Sequence, residues 1–298
     1  MAELKLTQDF DPDWGRAVEV APGVRRLTAR NPGPFTFHGT NTYLVGEQEI
    51  AVIDPGPDDE AHVAAIVAAA GGRPVSAIVV THTHRDHSPA AARLAALTGA
   101  PTFGEGPHRP ARPGAGGAGA GEASGDMAFR PDRVLADGDS VSGAGFRLSA
   151  VATPGHTANH LAFALEGTGV LFSGDHVMAW STTVVAPPDG DMGDYMASLA
   201  RLGARNDRLC LPGHGGAVTE PAAHIAGLTA HRLAREAAIL DAVVRGAHDV
   251  PAIVAAVYRG LDPRLVAAAG LSVSAHLQAL ADRGLVTTAP DGTLRAAV

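Results

Sequence analysis

The feature that most restricts this chain is a short apolar run, Ala77-Ile78-Val79-Val80, which passes directly into Thr81-His82-Thr83-His84-Arg85-Asp86-His87. An apolar run this short and rich in β-branched residues predicts a buried strand, so the polar segment behind it must form the loop at that strand's end. His82 and His84, two apart in extended backbone, can point to the same side, with Asp86 and His87 turning toward a second position just beyond. Imidazole suits zinc and other borderline first-row metals, and a carboxylate can bridge two cations.

Three more ligand-type residues stand at strand–loop junctions downstream: His156 in Thr153-Pro154-Gly155-His156-Thr157, Asp175 in Ser173-Gly174-Asp175, and His214 in Pro212-Gly213-His214-Gly215. The glycines beside them let the backbone approach a shared centre closely. Around these loops the chain alternates strands with helices. Strands are predicted at Thr42–Val45, Glu49–Ile53, Phe146–Leu148, Leu161–Leu165, Gly169–Phe172 and Arg208–Leu211. A helix is predicted over Asp59–Ala70, with Val63, Ile66 and Val67 on its apolar face, and another beginning near Pro89. This order is α/β in character.

The segment 105–126 is rich in Gly, Ala and Pro, buries little side chain and predicts a mobile surface loop, with His108 solvated. From Pro221 the texture turns helical. Leu233, Ala237, Leu240 and Val244 share one predicted face, as do Val273, Leu277 and Leu280. A small hairpin follows at Val286–Thr288 and Thr293–Arg295, which makes residues 221–298 winged-helix-like behind a catalytic domain at 1–220. Seven Arg against six Asp/Glu in that tail leave no DNA-binding footprint, so a structural or lid role is expected ahead of DNA recognition.

The net charge of −8 argues against a surface coated with nucleic acid. The single cysteine, Cys210, allows no internal disulfide and is expected to be a buried, inert thiol. No signal-peptide pattern opens the chain and no apolar stretch approaches the ~20 residues of a membrane span, so a cytoplasmic location is expected.

The segment His82-x-His84-x-Asp86-His87, followed by His156, Asp175 and His214 and preceded by Ile53-Asp54-Pro55-Gly56, resembles the metallo-β-lactamase superfamily in order and spacing. The likeness extends to the β-lactamase-like protein 2 family through Asn31-Pro32-Gly33-Pro34, Gly39-Thr40-Asn41-Thr42-Tyr43-Leu44-Val45-Gly46, Thr182-Thr183-Val184, Asp194-Tyr195-Met196 and the His231-Arg232 helix. The glycine-rich stretch 105–126 is the departure. The resemblance implies an αββα sandwich with two metal ions at one edge of its sheets. His82, His84 and His156 would hold the first, Asp86, His87 and His214 the second, with Asp175 bridging. Two Zn2+ are expected, although iron or manganese would also be accommodated by such ligands.

A hydrolase of this kind would attack with a metal-bridging hydroxide. Asp86 would steer the nucleophile, and Asp54 would orient the ligand loop from behind. His160, Tyr195 and His231 are candidates for touching substrate. An ester, thioester or related small acyl substrate is the first expectation. The second is endoribonuclease cleavage of single-stranded RNA, which the family resemblance implies and which would require an Arg-lined groove with aromatic platforms. A metal-sensing winged-helix regulator is a third, non-catalytic reading. The apolar helices of the tail could pack on the main domain or on a second copy of the chain.

Overall fold

Residues 4–112 and 124–297 are described in a computed structural model of the chain. Among them, seven strands form one sheet in sequence order: β1 (Val18–Ala21), β2 (Val24–Thr28), β3 (Asn41–Val45), β4 (Ile50–Ile53), β5 (Val75–Val79), β6 (Thr102–Gly104) and β7 (Arg133–Val134). Pairing is antiparallel through β4 and parallel from β4 to β7. The change falls where helices α1 (Glu60–Ala70) and α2 (Ala90–Thr98) supply the crossovers that parallel strands require. A second sheet has five strands in the order β12-β11-β10-β9-β8, from β8 (Ser140–Gly143), β9 (Phe146–Ala152), β10 (Leu161–Leu165), β11 (Val170–Gly174) and β12 (Leu209–Pro212).

Strand periodicity divides the core into layers. In β4, Ala51 and Ile53 face the opposing sheet, while Ile50 and Val52 face Val63 and Ile66 of α1 and Leu94 of α2. In β10, Leu161, Phe163 and Leu165 join the inter-sheet core, whereas Ala162 and Ala164 pack beneath α3 (Met192–Gly203) and the start of α4 (Pro221–Val244). Both sheets are therefore buried on both faces, and the arrangement is αββα. Cys210 lies wholly inside, where burial lifts its thiol to about 12, as an inert core residue requires.

Three helices and a hairpin end the chain: α4, α5 (Val250–Val257), α6 (Val266–Asp282), β13 (Val286–Thr288) and β14 (Leu294–Ala296). Helix α4 serves two cores. Ile225 and Leu228 pack under the second sheet, while Ile239, Ala242 and Val243 join α5, α6 and Val286. Helix α6 is likewise shared, through Ala275 and Ala279 on one side and Val273, Leu277 and Leu280 on the other.

Two helical faces differ from the sequence expectation. On α4 the buried stripe runs through Ile239, Ala242 and Val243, and Leu233 and Val244 are exposed. On α1, Val67 is exposed. These helices are rich in alanine, so apolar spacing alone does not say which stripe meets a neighbour. Of the segment expected to be a mobile loop, residues 113–123 lie outside the described residues. Its described flanks are tied down: Arg85 N–H donates to Ser124 O, Ala111 N–H to Pro188 O, and Arg112 pairs with both Asp191 and Asp282 of α6.

Candidate metal centre

The ligand-type residues predicted from sequence converge at one edge of the two sheets. β5 ends at Val79, and its loop carries His82, His84, Asp86 and His87. His156 follows β9, Asp175 directly follows β11, and His214 follows β12. Close approach needs glycine: a Cβ on Gly213 would stand 2.4 Å from Asp175 Oδ1 and 2.6 Å from His87 Cε1. Gly155 has φ +135°, and a Cβ there would lie 2.3 Å from Tyr195 Cα.

Three groups have their ligand atoms within 4.8 Å of one another: His82, His84 and His156; His82, His87 and Asp175; and Asp86, His87 and His214. In the first, His84 Nδ1 is 3.1 Å from His82 Nε2 and 3.0 Å from His156 Nε2. In the third, His87 Nε2 is 3.3 Å from His214 Nε2 and 3.3 Å from Asp86 Oδ2. Asp175 stands between them, with Oδ1 3.5 Å from His87 Nε2, and Oδ2 3.3 Å from His214 Nε2 and 3.6 Å from His156 Nε2.

The outward hydrogen bonds decide what the inward nitrogens can do. His156 Nδ1–H donates to Val184 O at 2.6 Å, His214 Nδ1–H to Gly39 O at 3.2 Å, and His87 Nδ1–H to Asp54 Oδ2 at 2.9 Å. His84 Nε2–H donates to Asp189 Oδ2 at 3.2 Å. Thr81 Oγ1 gives its proton to Asp54 Oδ2 at 2.7 Å, so it accepts from His82 Nδ1–H at 3.0 Å. Every ring thus has an acceptor for an outward N–H, which leaves its other nitrogen facing inward as the atom that could take a cation. Asp175 Oδ1 is buried there without a hydrogen-bond partner. Lone pairs and carboxylates converging in this way fit divalent cations.

Titration behaviour divides the cluster. Burial, reinforced by the neighbouring His84, pushes His156 down to about 4, and burial also drives His82 well below its usual value. His214 goes the other way: burial opposes its charge, but Asp175 and Asp86 raise it to about 10, and His87 is likewise raised. Without a cation, protons on those two rings answer the carboxylates. His82 and His156 are therefore already deprotonated at neutral pH, while a cation entering between Asp86, His87 and His214 must displace protons. Calorimetric titration in buffers of different ionisation enthalpy should show more proton release for the Asp86–His87–His214 binding event than for the other. Affinity of the proton-releasing site should rise with pH toward about 10, the value held by His214. In the metal-free protein His214 favours the fold fully below the ordinary histidine value of 6.5, and that contribution disappears as pH rises through about 10.

Sequence comparison bears directly on this arrangement. Residues 35–214 match the family described as the metallo-beta-lactamase superfamily. The chain belongs to the metallo-β-lactamase superfamily. Residues 250–293 match the beta-lactamase associated winged helix domain, which accounts for the helical tail as well. A β-lactamase-like protein 2 homolog of Caenorhabditis elegans is 30% identical over 74% of this chain and 71% of its own length. An atrochrysone carboxyl ACP thioesterase of Cryptosporiopsis sp. is 29% identical over 76% of this chain, which spans only 64% of that relative. Among solved structures, a β-lactamase domain protein from Burkholderia ambifaria superposes with a TM-score of 0.80 at 27% identity, covering 99% of this chain and 97% of that one.

Asp86 and the other six ligand-type residues meet at the cluster, but the three expected substrate contacts do not line its cavity. His160 is buried behind Asp175: its Nδ1 meets Thr153 Oγ1 at 2.8 Å and its Nε2 accepts from Asp175 N–H at 3.2 Å. Tyr195, on α3, is fully buried, with its hydroxyl donating to His176 O at 3.2 Å. His231 lies half-buried on α4 beside Arg232 and Arg235, away from the cavity wall. The residues that do line this cavity of about 490 Å³ include Phe35, Met178, Val184, Pro187 and Leu271, above a floor of His84, Asp86, His156 and Asp175. Helix position alone could not reveal that Leu271, from the winged-helix tail, closes one side.

Asp54 sits behind the cluster. Its Oδ1 accepts Thr81 N–H at 2.7 Å, and its Oδ2 accepts both Thr81 Oγ1–H and His87 Nδ1–H. It holds the ligand ring of His87 from behind and does not line the cavity, so it positions rather than reacts. Sequence reasoning passed over Asn41, whose Nδ2 donates to Pro212 O and Gly215 O and so holds the His214 turn. The Gly39-Thr40-Asn41 phrase was its available signal. It also placed His108 in solvent, whereas that ring is tucked between Thr83 and Asp189. A polar, glycine-rich neighbourhood gave no hint that distant partners would pin it.

Proposed function

We propose that the chain is a dinuclear metal-dependent thioester or ester hydrolase. His82, His84 and His156 would hold one ion and Asp86, His87 and His214 the other, with Asp175 placed to be shared by both. Zinc is favoured by the imidazole-rich first site, with iron or manganese tolerated by the same donors. Two bound cations would supply Lewis acidity at the scissile carbonyl and a water acidic enough to attack near neutral pH. The observation that carries this reading is the cavity: its floor is the His/Asp cluster, and its walls are mostly apolar.

This chain's own residues divide the remaining work. Asp86, with its side chain 27% exposed, faces the cavity and can orient an attacking water or take its proton. Phe35, Met178, Val184 and Leu271 offer an acyl group a water-poor berth. The thioesterase name of one relative supports a thioester, and the cavity chemistry is compatible with it. An RNA strand finds less here: Arg85 is the one guanidinium and Phe35 the one carbocyclic ring among the described lining residues. The regulator reading is weakened because α6 spends one face on the second sheet's core through Ala275 and Ala279, and Leu271 lies on the cavity.

Zinc-loaded protein assayed side by side against a series of acyl thioesters and against single-stranded RNA should hydrolyse the thioesters. RNA cleavage without thioester turnover would overturn the substrate reading while leaving the metal centre standing. Elemental analysis should find close to two metal ions per chain, as the seven ligand-type side chains would hold.

A further inference from the structure

The metal ligand His84 is held from outside by a carboxylate that no sequence motif singles out. Asp189 lies in the loop before α3, is 6% exposed, and accepts three hydrogen bonds. His84 Nε2–H and Ser124 Oγ–H reach Oδ2 at 3.2 and 2.9 Å, and His108 Nε2–H reaches Oδ1 at 3.2 Å. The protons follow one direction. Asn159 Nδ2 donates to Thr83 Oγ1 at 2.8 Å, Thr83 Oγ1–H donates to His108 Nδ1 at 3.0 Å, and His108 passes its own N–H to Asp189. Each donor has its acceptor, and the chain ends on a carboxylate that only accepts.

This pattern has a consequence for His84. A ring that coordinates through Nδ1 must carry its proton on Nε2, and an acceptor at Nε2 both selects that tautomer and fixes the ring plane. Asp189 is that acceptor. Its other oxygen is occupied by His108, and Ser124 shares the first, so residues from both described flanks of the glycine-rich stretch meet on one carboxylate. Thr83, between His82 and His84, ties His108 back to the ligand loop itself.

We propose that Asp189 is the positioning residue of the three-histidine site, with His108 as its brace, so that the flanks of the 105–126 segment are coupled to the first metal position. This rests on the metal-centre reading above. Outer partners of metal-bound histidines are worth roughly 10–100-fold in metal affinity. Asp189→Ala should therefore weaken zinc binding at one of the two sites by about that factor and leave the Asp86–His87–His214 site as it was. His108→Ala should act in the same direction with a smaller loss. The double variant should be no weaker than Asp189→Ala, because the brace works only through the carboxylate.

The test is competition of apoprotein against a chelating dye for zinc, site by site, for the natural protein and the three variants. It is paired with NMR of cobalt-loaded, histidine-labelled protein. There the shifted exchangeable ring proton of His84 should broaden or vanish in Asp189→Ala while that of His87, held by Asp54, persists. Should Asp189→Ala fail to fold by circular dichroism, Asp189→Asn and His108→Ala carry the same comparison. Unchanged affinity, equal weakening at both sites, or additive losses in the double variant would overturn the proposal alone. A natural protein that takes up neither zinc nor cobalt would overturn the metal reading itself, and this inference with it.

Discussion

Replacing Asp175 with alanine is expected to abolish the paired metal site and to reduce turnover by more than the roughly 10–100-fold that outer positioning partners are worth. Its carboxylate lies within 3.6 Å of nitrogens from both sides of the cluster, at His156 on one and His87 and His214 on the other. The fold should survive, because Asp175 is held through its backbone: its N–H donates to His160 and its carbonyl accepts Thr183 Oγ1–H at 2.7 Å. The informative result is a protein with an unchanged circular dichroism spectrum, metal content well below two per chain and little activity. Asp86→Ala should share the loss of activity. Full activity and full metal content in both variants would show that the cluster is not the reaction centre.

The second large effect is expected at Asp54, and it should appear first as instability. The carboxylate is 2% exposed and satisfies Thr81 N–H, Thr81 Oγ1–H and His87 Nδ1–H together. Removing it in Asp54→Ala strands buried donors, and losing one partner of a buried charged arrangement costs about 3–5 kcal/mol. The backbone adds to this, since Asp54 sits at φ +50°, a conformation that alanine adopts reluctantly and asparagine tolerates. Asp54→Asn should therefore keep the turn but lose acceptor capacity, and fall between the natural protein and Asp54→Ala in denaturant unfolding. Because Thr81 orients His82 while Asp54 orients His87, both metal positions should weaken in either variant. Selective loss at a single position would contradict this dual role.

The two positioning carboxylates differ in how they could be found. Asp54 lies in an Asp-Pro-Gly turn just behind a strand, where local chemistry already marks it. Asp189 follows two prolines in a loop of its own, and its partners His84, His108 and Ser124 stand 105, 81 and 65 residues away. Nothing within its own segment distinguishes it from a turn residue.

Local periodicity and turn chemistry determined much of this molecule without coordinates. Short apolar runs of period two or less became strands, and the polar residue at each strand's end had nowhere to go except the shared edge of the sheets. That is why His82, His84, Asp86, His87, His156, Asp175 and His214 were legible as one constellation. Tertiary structure alone decided which face of each alanine-rich helix is buried, that Tyr195 and His160 support the site from within the core, and that Leu271 walls the cavity. It also decided that His108 is bound rather than solvated. Each of those outcomes depends on a neighbour far away in sequence, and contact between distant segments leaves no periodic trace in the chain.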